Sequence, residues 1–556
     1  MMLTVRPPSR YLALAVGVVL MVLMLVVLQK AKVVDMSSTL EAVVMPQSYS
    51  GPAIEHDLGH KLANIHFSIP ELSDDTIHMY GDDECEVENV DIRVSPPTDV
   101  DESIESILVA WQRSKSTYFQ EISTLINKDH NLDDQLREGT ISKHWYRFAG
   151  SSVWLEDYRV HMMISRLIYT PSGNKQTPLF SLTLVHLYDP NWKPVEATLA
   201  VPDGYGNWHT QSYPQIVPIP FYHDVNRQNK RYYGPEDPRI LMVNNEEGYQ
   251  EPMLVFNMHT EDFSVEKTDK AKGIYKHHRS MYVAWPWQTQ EGKGDIDNGK
   301  TKTGQFTRTS RLSIDGERPK ENEKNWTPFI DGHNSSVYFV YRWDRFEVLE
   351  CPLGSRELTK DATTCQLIKE KDSGPKRVGA LRGGTELLSF ASLGYPEASG
   401  WLGIARAHLK DCGCSPHMYR PNIVVIDRKP EGEFYLRAVS GFADWKLDVA
   451  GFYDDDAKCG QSSVLIPNGF SRYHPAADLM EVTYSIADKT VSRLSLQGLV
   501  SQLANFGKGG DVLKCGMDAS WKYCDVWGDK YGEKKKEDEE KEKEEEEKNK
   551  DNDNKE

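Results

Sequence analysis

Three hydrophobic patterns succeed one another along the chain. Tyr11 to Leu28 is apolar over 18 unbroken positions, with Arg6 and Arg10 before it and Lys30 and Lys32 after it. That length spans a bilayer, if slightly short. No small-residue cleavage site comes after Leu28, so the run predicts an uncleaved signal anchor rather than a removed signal peptide. From Asp101 the period becomes helical. Ile104, Ile107, Leu108, Trp111, Ile122 and Leu125 share one stripe and predict a helix packed on the outside of the main body of the chain.

From about Lys143 the pattern changes again, to short apolar or alternating runs set off by Gly, Pro, Asn and Asp. They include Ser152–Leu155, His161–Tyr169, Leu179–Tyr188, Met253–Met258, Met281–Trp285, Val337–Trp343, Trp401–Ala405, Ile423–Ile426 and Phe434–Val439. β-branched and aromatic residues dominate them, as strands require. The body is therefore expected to be mainly β and too long for one sandwich. Sheets set radially around a central pocket, a β-propeller, accommodate such length. No repeat of fixed period is visible. The organisation read from these patterns is a cytoplasmic tail at 1–10, a transmembrane anchor at 11–28 and a stalk and lead-in at 29–100. A lumenal catalytic body at 101–530 and a disordered charged tail at 531–556 complete it.

Composition narrows the partners and the compartment. The net charge of the 556 residues is −18, and an acidic chain repels nucleic acid. The segment 533–556 contributes about −5, with 13 acids against 8 bases. Eight cysteines and the sequons at Asn325 and Asn334 lie beyond the anchor, which suits an exported lumen. A short anchor fits the thinner membranes of the early secretory route, hence a single-pass type II protein of the Golgi. Cys351/Cys365 and Cys515/Cys524 are near enough in sequence to bridge locally. Cys412-Gly413-Cys414 has no second pair at zinc spacing, so disulfides are expected over a metal.

The stretch Tyr232-Tyr233-Gly234-Pro235-Glu236-Asp237-Pro238-Arg239 concentrates candidate chemistry. Its prolines stiffen the backbone and hold two adjacent carboxylates together beside a guanidinium. Like charges so placed raise at least one pKa, which suits acid/base work on a sugar; a structural turn with an Asp–Arg pair is the plainer reading. Further candidates are Lys324 and His333 for a diphosphate and Trp326 for stacking; a glycosylated surface loop followed by a core tryptophan is the plainer reading of that stretch, and the sequon at Asn325 supports it. Gly383-Gly384 lets backbone approach a ligand beside Arg382, and Arg406 and His408 come directly after a strand. Asp295-Ile296-Asp297 has a metal-binding spacing but sits in a Gly- and Lys-rich loop, Gln288–Gln305, that reads as mobile.

The chain resembles a known family at several of these places. Gly234-Pro235-Glu236-Asp237-Pro238-Arg239 is similar to the Glu-Asp-Pro-Arg signature of mannoside phosphorylases, which are five-bladed β-propellers. Ala149 to Leu155, Glu323-Lys324-Asn325-Trp326, Gly383-Gly384-Thr385, Ala405 to Cys414 and Tyr419-Arg420-Pro421-Asn422 together resemble the fungal β-mannosyltransferases of the WRY family over nearly the whole chain. The resemblance implies transfer of mannose from GDP-mannose, in β-1,2 linkage and with inversion, to oligomannoside acceptors of cell-wall mannan or glycolipid. It differs from the phosphorylases in one respect: Arg406 stands where they carry a histidine, and His408 lies two positions on. On this reading Asp237 is the base, Glu236 orients it or binds mannose, and Arg239 steadies the pair. Lys324, Arg166 and Arg406 face the diphosphate, with Arg382 and His408 nearby, and no metal or other cofactor is required. A membrane-anchored mannoside phosphorylase or hydrolase and an inactive glycan-binding propeller are the alternatives.

Overall fold

A computed structural model describes residues 43–44 and 73–553, apart from 83, 101, 127–129, 205, 225–231, 246–247, 332–335, 354–361 and 369–379. The expected anchor and most of the stalk lie outside the described residues, as do Asn334 and His333. Among the described residues no helix is long and apolar enough to cross a membrane.

Most strands form antiparallel meanders of four. The first comprises Trp145–Leu155, Val160–Tyr169, Phe180–Tyr188 and Gln215–Val217. The second runs Glu236–Asn244, Gln250–Glu261, His277–Glu291 and Gln305–Ile314. Thr327–Ile330, Ser336–Arg342, Glu347–Pro352 and Ala362–Ile368 make the third. Ala380–Arg382, Trp401–Cys412, Ser415–Arg428 and Phe434–Ser440 make the fourth. The fifth takes Ser463–His474, Leu479–Ile486 and Ser492–Gln497 from late in the chain and Val87–Val94 from its beginning. Ser73–Tyr80 joins the fourth and fifth by pairing with strands of both. Residues 73–94 are thus integral to the β body, and the boundary read at 101 falls inside the fold. Ile77, Met79, Val90, Ile92 and Val94 bury their side chains in the core there.

Alternation along the strands sends side chains to both faces of a sheet, and here both faces are covered. In the second meander Leu254, Phe256 and Met258 pack toward the first, while Met253, Val255 and Val283 pack toward the third. Tyr338 and Val340 of the third meet Val424 and Ile426 of the fourth. Ile423 and Val425, on the other face of the fourth, meet Phe470, Met480 and Val482 of the fifth. The fifth reaches the first through polar bonds. His161 Nδ1 lies 2.8 Å from Ser471 Oγ, and Trp192 Nε1 donates to Glu481 at 3.2 Å. Val160–Tyr169 and Phe180–Tyr188 are consequently buried along their whole length.

The expected single helix is two, Ile104–Ser114 and Thr117–Ser123. Lys115 takes a left-handed φ of +49° and ends the first, and the Ser116 hydroxyl caps the second. Both bury the predicted stripe against the first meander. The segment read as a mobile loop is tied down: it extends the hairpin into a short turn at Gly294–Asp297. The Asp297 carboxylate there accepts the backbone N–H groups of Lys300 and Thr301 at 3.1 and 2.9 Å. Its oxygens serve a turn, and no cluster that could hold a metal occurs among the described residues.

All eight cysteines are paired: Cys85–Cys515, Cys351–Cys365, Cys412–Cys524 and Cys414–Cys459. The local Cys351–Cys365 pairing is as read from spacing. Cys515 and Cys524 are not partners, because both lie on the helix Val512–Asp553 and each staples it to a different strand pair. Backbone of the segment read as a disordered tail continues this helix to Asp553. Replacing Cys85 and Cys515 together by serine should lower stability by about 2–5 kcal/mol. A denaturant midpoint monitored by tryptophan fluorescence measures it, and an unchanged midpoint would show that packing alone holds the helix.

Candidate active site

The proline-braced turn enters the second meander along the edge of the first. Tyr233 pairs with the strand around Phe180: Ser181 N donates to Tyr233 O at 2.7 Å and Tyr233 N to Leu179 O at 3.1 Å. A Cβ on Gly234, at φ +89°, would come within 2.0 Å of Ser181 O, so only glycine fits. The register then slips between Glu236 and Arg239, which places one extra residue in a bulge. Asp237 occupies it at φ +49°, immediately before Pro238. A left-handed residue before proline is strained, and the bulge turns successive carboxylates in different directions.

Glu236 turns inward and is 4 % exposed. Its Oε1 accepts Arg279 Nε and Nη2 at 3.1 and 3.0 Å, and its Oε2 accepts the Tyr232 hydroxyl at 2.5 Å. Asp237 turns to the open side, its side chain 38 % exposed. Arg166 links the two. Its Nη1 donates to Asp237 Oδ1 at 3.1 Å, its Nη2 lies 3.7 Å from Glu236, and its Nε is fixed on Ser181 Oγ at 3.0 Å. The rings of Phe148 and Tyr232 flank the guanidinium, each 5.3 Å away.

Arg166, not Arg239, therefore steadies the carboxylate pair. Arg239 donates to Gly384 O at 2.9 Å and to Pro238 O at 3.0 Å. It anchors the bulge to the Gly383-Gly384 segment. Burial and neighbouring Arg406 bring its pKa down to about 10. A Cβ on Gly384 would lie 2.0 Å from Ile404 O, so the two-glycine segment can only be this bare. Below Asp237 a cavity of ≈ 20 Å³ is lined by Arg239, Asn257, Asn325, Trp326 and the two glycines, room for about one water.

Other predicted residues converge from further meanders. Arg406 is buried and donates to Asn325 Oδ1 at 3.0 Å. Lys324 and Arg382 are exposed on the open side, Arg382 facing Arg406 across paired strands. Burial raises the Asp237 carboxyl, but Arg166, Arg239, Arg406 and Lys324 outweigh it and hold it below the usual aspartate range. Lys324 is exposed as a residue, but partial desolvation of its ammonium lowers its pKa, with Asp237 opposing. His408 stacks on Tyr419 at 4.3 Å and meets His417 at 3.1 Å. Burial, then His417 and Arg382, depress it to about 4, so it is a neutral rim residue rather than an anion-binding cation.

Two assignments change. Asn325, read as a glycan acceptor on a surface loop, is bonded to Arg406 and lines the cavity beside Asp237. A glycan on its amide would fill the cleft. Trp326 is a core residue, 4 % exposed, bonded to Glu323 and packed edge-on to Phe339 and Tyr341, so its faces are not open to a sugar. Residues missed in the sequence are Arg279 and Asp488, and Tyr232 stood in the candidate turn without a role. Arg279 was legible only as part of a basic run. Asp488 carried no signal: it lies in a late hairpin turn, within electrostatic reach of Asp237, Arg166, Arg406 and Lys175.

A sequence model of the family described as Beta-mannosyltransferases matches residues 84–556. The chain belongs to that family. It is 34 % identical to Beta-mannosyltransferase 2 of Candida albicans over 80 % of this chain and 74 % of that one. Beta-mannosyltransferase 5 of the same organism is 34 % identical, over 80 % and 79 %. A mannose phosphorylase from Leishmania mexicana, solved with phosphate, superposes with TM-score 0.32 and 10 % identity over 66 % of this chain and 88 % of that one. As a β-mannosyltransferase the chain needs a mannose donor and a mannoside acceptor, and the cleft around Asp237 is where charged groups from several meanders converge.

A buried acid beside the cleft supplies a stability test. Glu386 accepts the Phe470 N–H at 3.0 Å, and burial, opposed by that bond and by Arg239, pushes it up to about 8. It is protonated in the fold but ionised in the unfolded chain. Stability should fall as pH rises from the usual glutamate range to about 8 and level off above. Glu386→Gln should flatten that fall, on the order of a few kcal/mol, in denaturation midpoints measured between these pH values.

Proposed function

We propose that this β-mannosyltransferase transfers mannose from GDP-mannose, with inversion and in β-1,2 linkage, to an oligomannoside acceptor. The observation that carries the reading is the pairing of an ionised, half-open Asp237 with cations from other meanders. Arg406, Lys324 and Arg382 supply more positive charge than one carboxylate needs, and a departing diphosphate uses that surplus. An α-linked donor giving a β product needs one in-line displacement through an oxocarbenium-like state. Asp237 is charged through neutral pH and suits stabilisation of that state or a grip on mannose hydroxyls. Its low pKa makes it a weak proton acceptor. The cavity below it is too small for a sugar, so mannose lies on the open side, toward Lys324 and Arg382.

The five meanders are the proposed blades of a propeller. Apolar clusters join each to the next from the first to the fifth, polar bonds link the fifth to the first, and the N-terminal strand Val87–Val94 completes the last. Four disulfides fit an oxidising lumen. With the apolar run at 11–28 they support a Golgi type II protein whose acceptors are cell-wall mannan or glycolipid.

The full-length protein, incubated with GDP-mannose and mannobiose, should release GDP and lengthen the acceptor, with a β-anomeric signal by proton NMR. Asp237→Asn should lower kcat by about 10²–10³-fold with little change in melting, since asparagine tolerates the same left-handed backbone. Undiminished turnover by that variant would end the assignment of Asp237.

A further inference from the structure

The hairpin turn Ile486-Ala487-Asp488-Lys489 is not built from residues such a turn prefers. Lys489 N donates to Ile486 O at 2.9 Å, and the two central residues, Ala487 and Asp488, have φ of +51° and +49°. This is a primed hairpin turn, for which Asn-Gly is favoured and alanine is strained. Four outside contacts hold it: Ala487 N donates to Val464 O at 2.9 Å, Lys175 Nζ to Ala487 O at 3.3 Å, Lys489 Nζ to Gly451 O at 3.3 Å, and the same Lys489 ammonium pairs with the Asp455 carboxylate. Asp488 is half-buried and has no hydrogen bond or ion pair among the described residues.

Charged or titratable groups from the first, second and fourth meanders lie within electrostatic reach of it. Asp237 comes from the second meander, Arg166 and Lys175 from the first, and Arg406 and Tyr419 from the fourth; Arg239 lies within electrostatic reach, and Lys489 is its neighbour in the turn. Asp237 is committed to Arg166 by a hydrogen bond, whereas Asp488 has no such bond among the described residues. We propose that Asp488 is the general base of mannosyl transfer, accepting the proton of the acceptor hydroxyl, an inference that rests on the donor and displacement reading above. The acceptor oxygen bonds to C1 of mannose and its proton passes to the Asp488 carboxylate. The C1–O bond to the diphosphate breaks, its electron pair staying on the phosphate oxygen, and GDP leaves toward Arg406 and Lys324. The two acids then divide the work: Asp237 stays ionised, and Asp488 exchanges the proton. Burial and the charge of Asp237 raise Asp488, the direction a base working near neutral pH needs.

The test uses azide, an anionic nucleophile that needs no deprotonation. Detergent-solubilised full-length protein is given GDP-mannose with mannobiose, with or without sodium azide. Asp488→Asn, which keeps the turn, should lower transfer by about 10²–10⁴-fold and remove the acidic limb of the kcat–pH profile. Azide should restore GDP release and yield mannosyl azide with that variant and not with Asp237→Asn. Asp488→Gly, which relieves the turn's strain, should behave as Asp488→Asn does. Full transfer by either Asp488 variant, or a loss that azide does not relieve, overturns the assignment while leaving the donor reading intact. Wild-type protein that releases no GDP from GDP-mannose sinks the donor reading and this inference with it.

Discussion

The cleft depends on one guanidinium. Glu236 and Asp237 are adjacent acids on a turn that cannot relax, and without a counter-charge one of them would take up a proton. Arg166 removes that need by reaching both, at 3.7 and 3.1 Å. It is itself committed in advance, its Nε on Ser181 and its plane between Phe148 and Tyr232. Arg166 belongs to the first meander and the acids to the second. The charge pattern therefore exists only when those two sheets are docked, and the apolar contact between them fixes the geometry of the site.

The same bulge that strains Asp237 separates two neighbouring residues into unlike roles. Glu236 spends its oxygens on Tyr232 and Arg279, with Arg166 nearby, and is closed to a ligand. Asp237 keeps one side open and is surrounded by cations that do not all bond to it. Arg239, only two and three positions further along the chain, points elsewhere and ties the bulge to Gly384. Proximity in sequence identified the right turn, and only the backbone slip decides which neighbour does what.

That turn was legible because prolines constrain conformation whatever surrounds them. Nine strands of the first four meanders were legible because both faces are buried, so Val160–Tyr169 and Ile423–Ile426 read as apolar runs; the shorter and edge strands between them were not. The fifth meander was not. Its first strand carries Pro467 and Gly469 at register shifts, and its second buries Glu481 against His161 and Trp192. Those features look like loop and surface in isolation. The N-terminal strands 73–94 hid for a related reason, since Val87–Val94 alternates exposed polar residues with a buried set that only a distant partner explains. Disulfide partners of Cys515 and Cys524 depend on how the long helix lies on the body, which local spacing does not encode. The sequon at Asn325 misled because acceptor sequons arise by chance, and here the asparagine is an Arg406 ligand.

Strain is distributed across the cleft in a consistent way. Asp237, Asn325 and Asp488 are left-handed at +49°, +63° and +49°, and they come from the second meander, the lead into the third and the fifth. Each is a residue type that bears this conformation at low cost, yet glycine would bear it at none. Glycine would also carry no side chain into the cleft. Keeping asparagine or aspartate at all three positions places polar groups on backbone that bends sharply inward, where a straight strand would send them along the sheet face. The packed meanders hold these bends rigidly, as Arg239 on Gly384 and Lys175 on the 486–489 turn illustrate. A site assembled in this way needs little rearrangement when charge develops at the sugar, because the groups that meet that charge are already fixed by the fold.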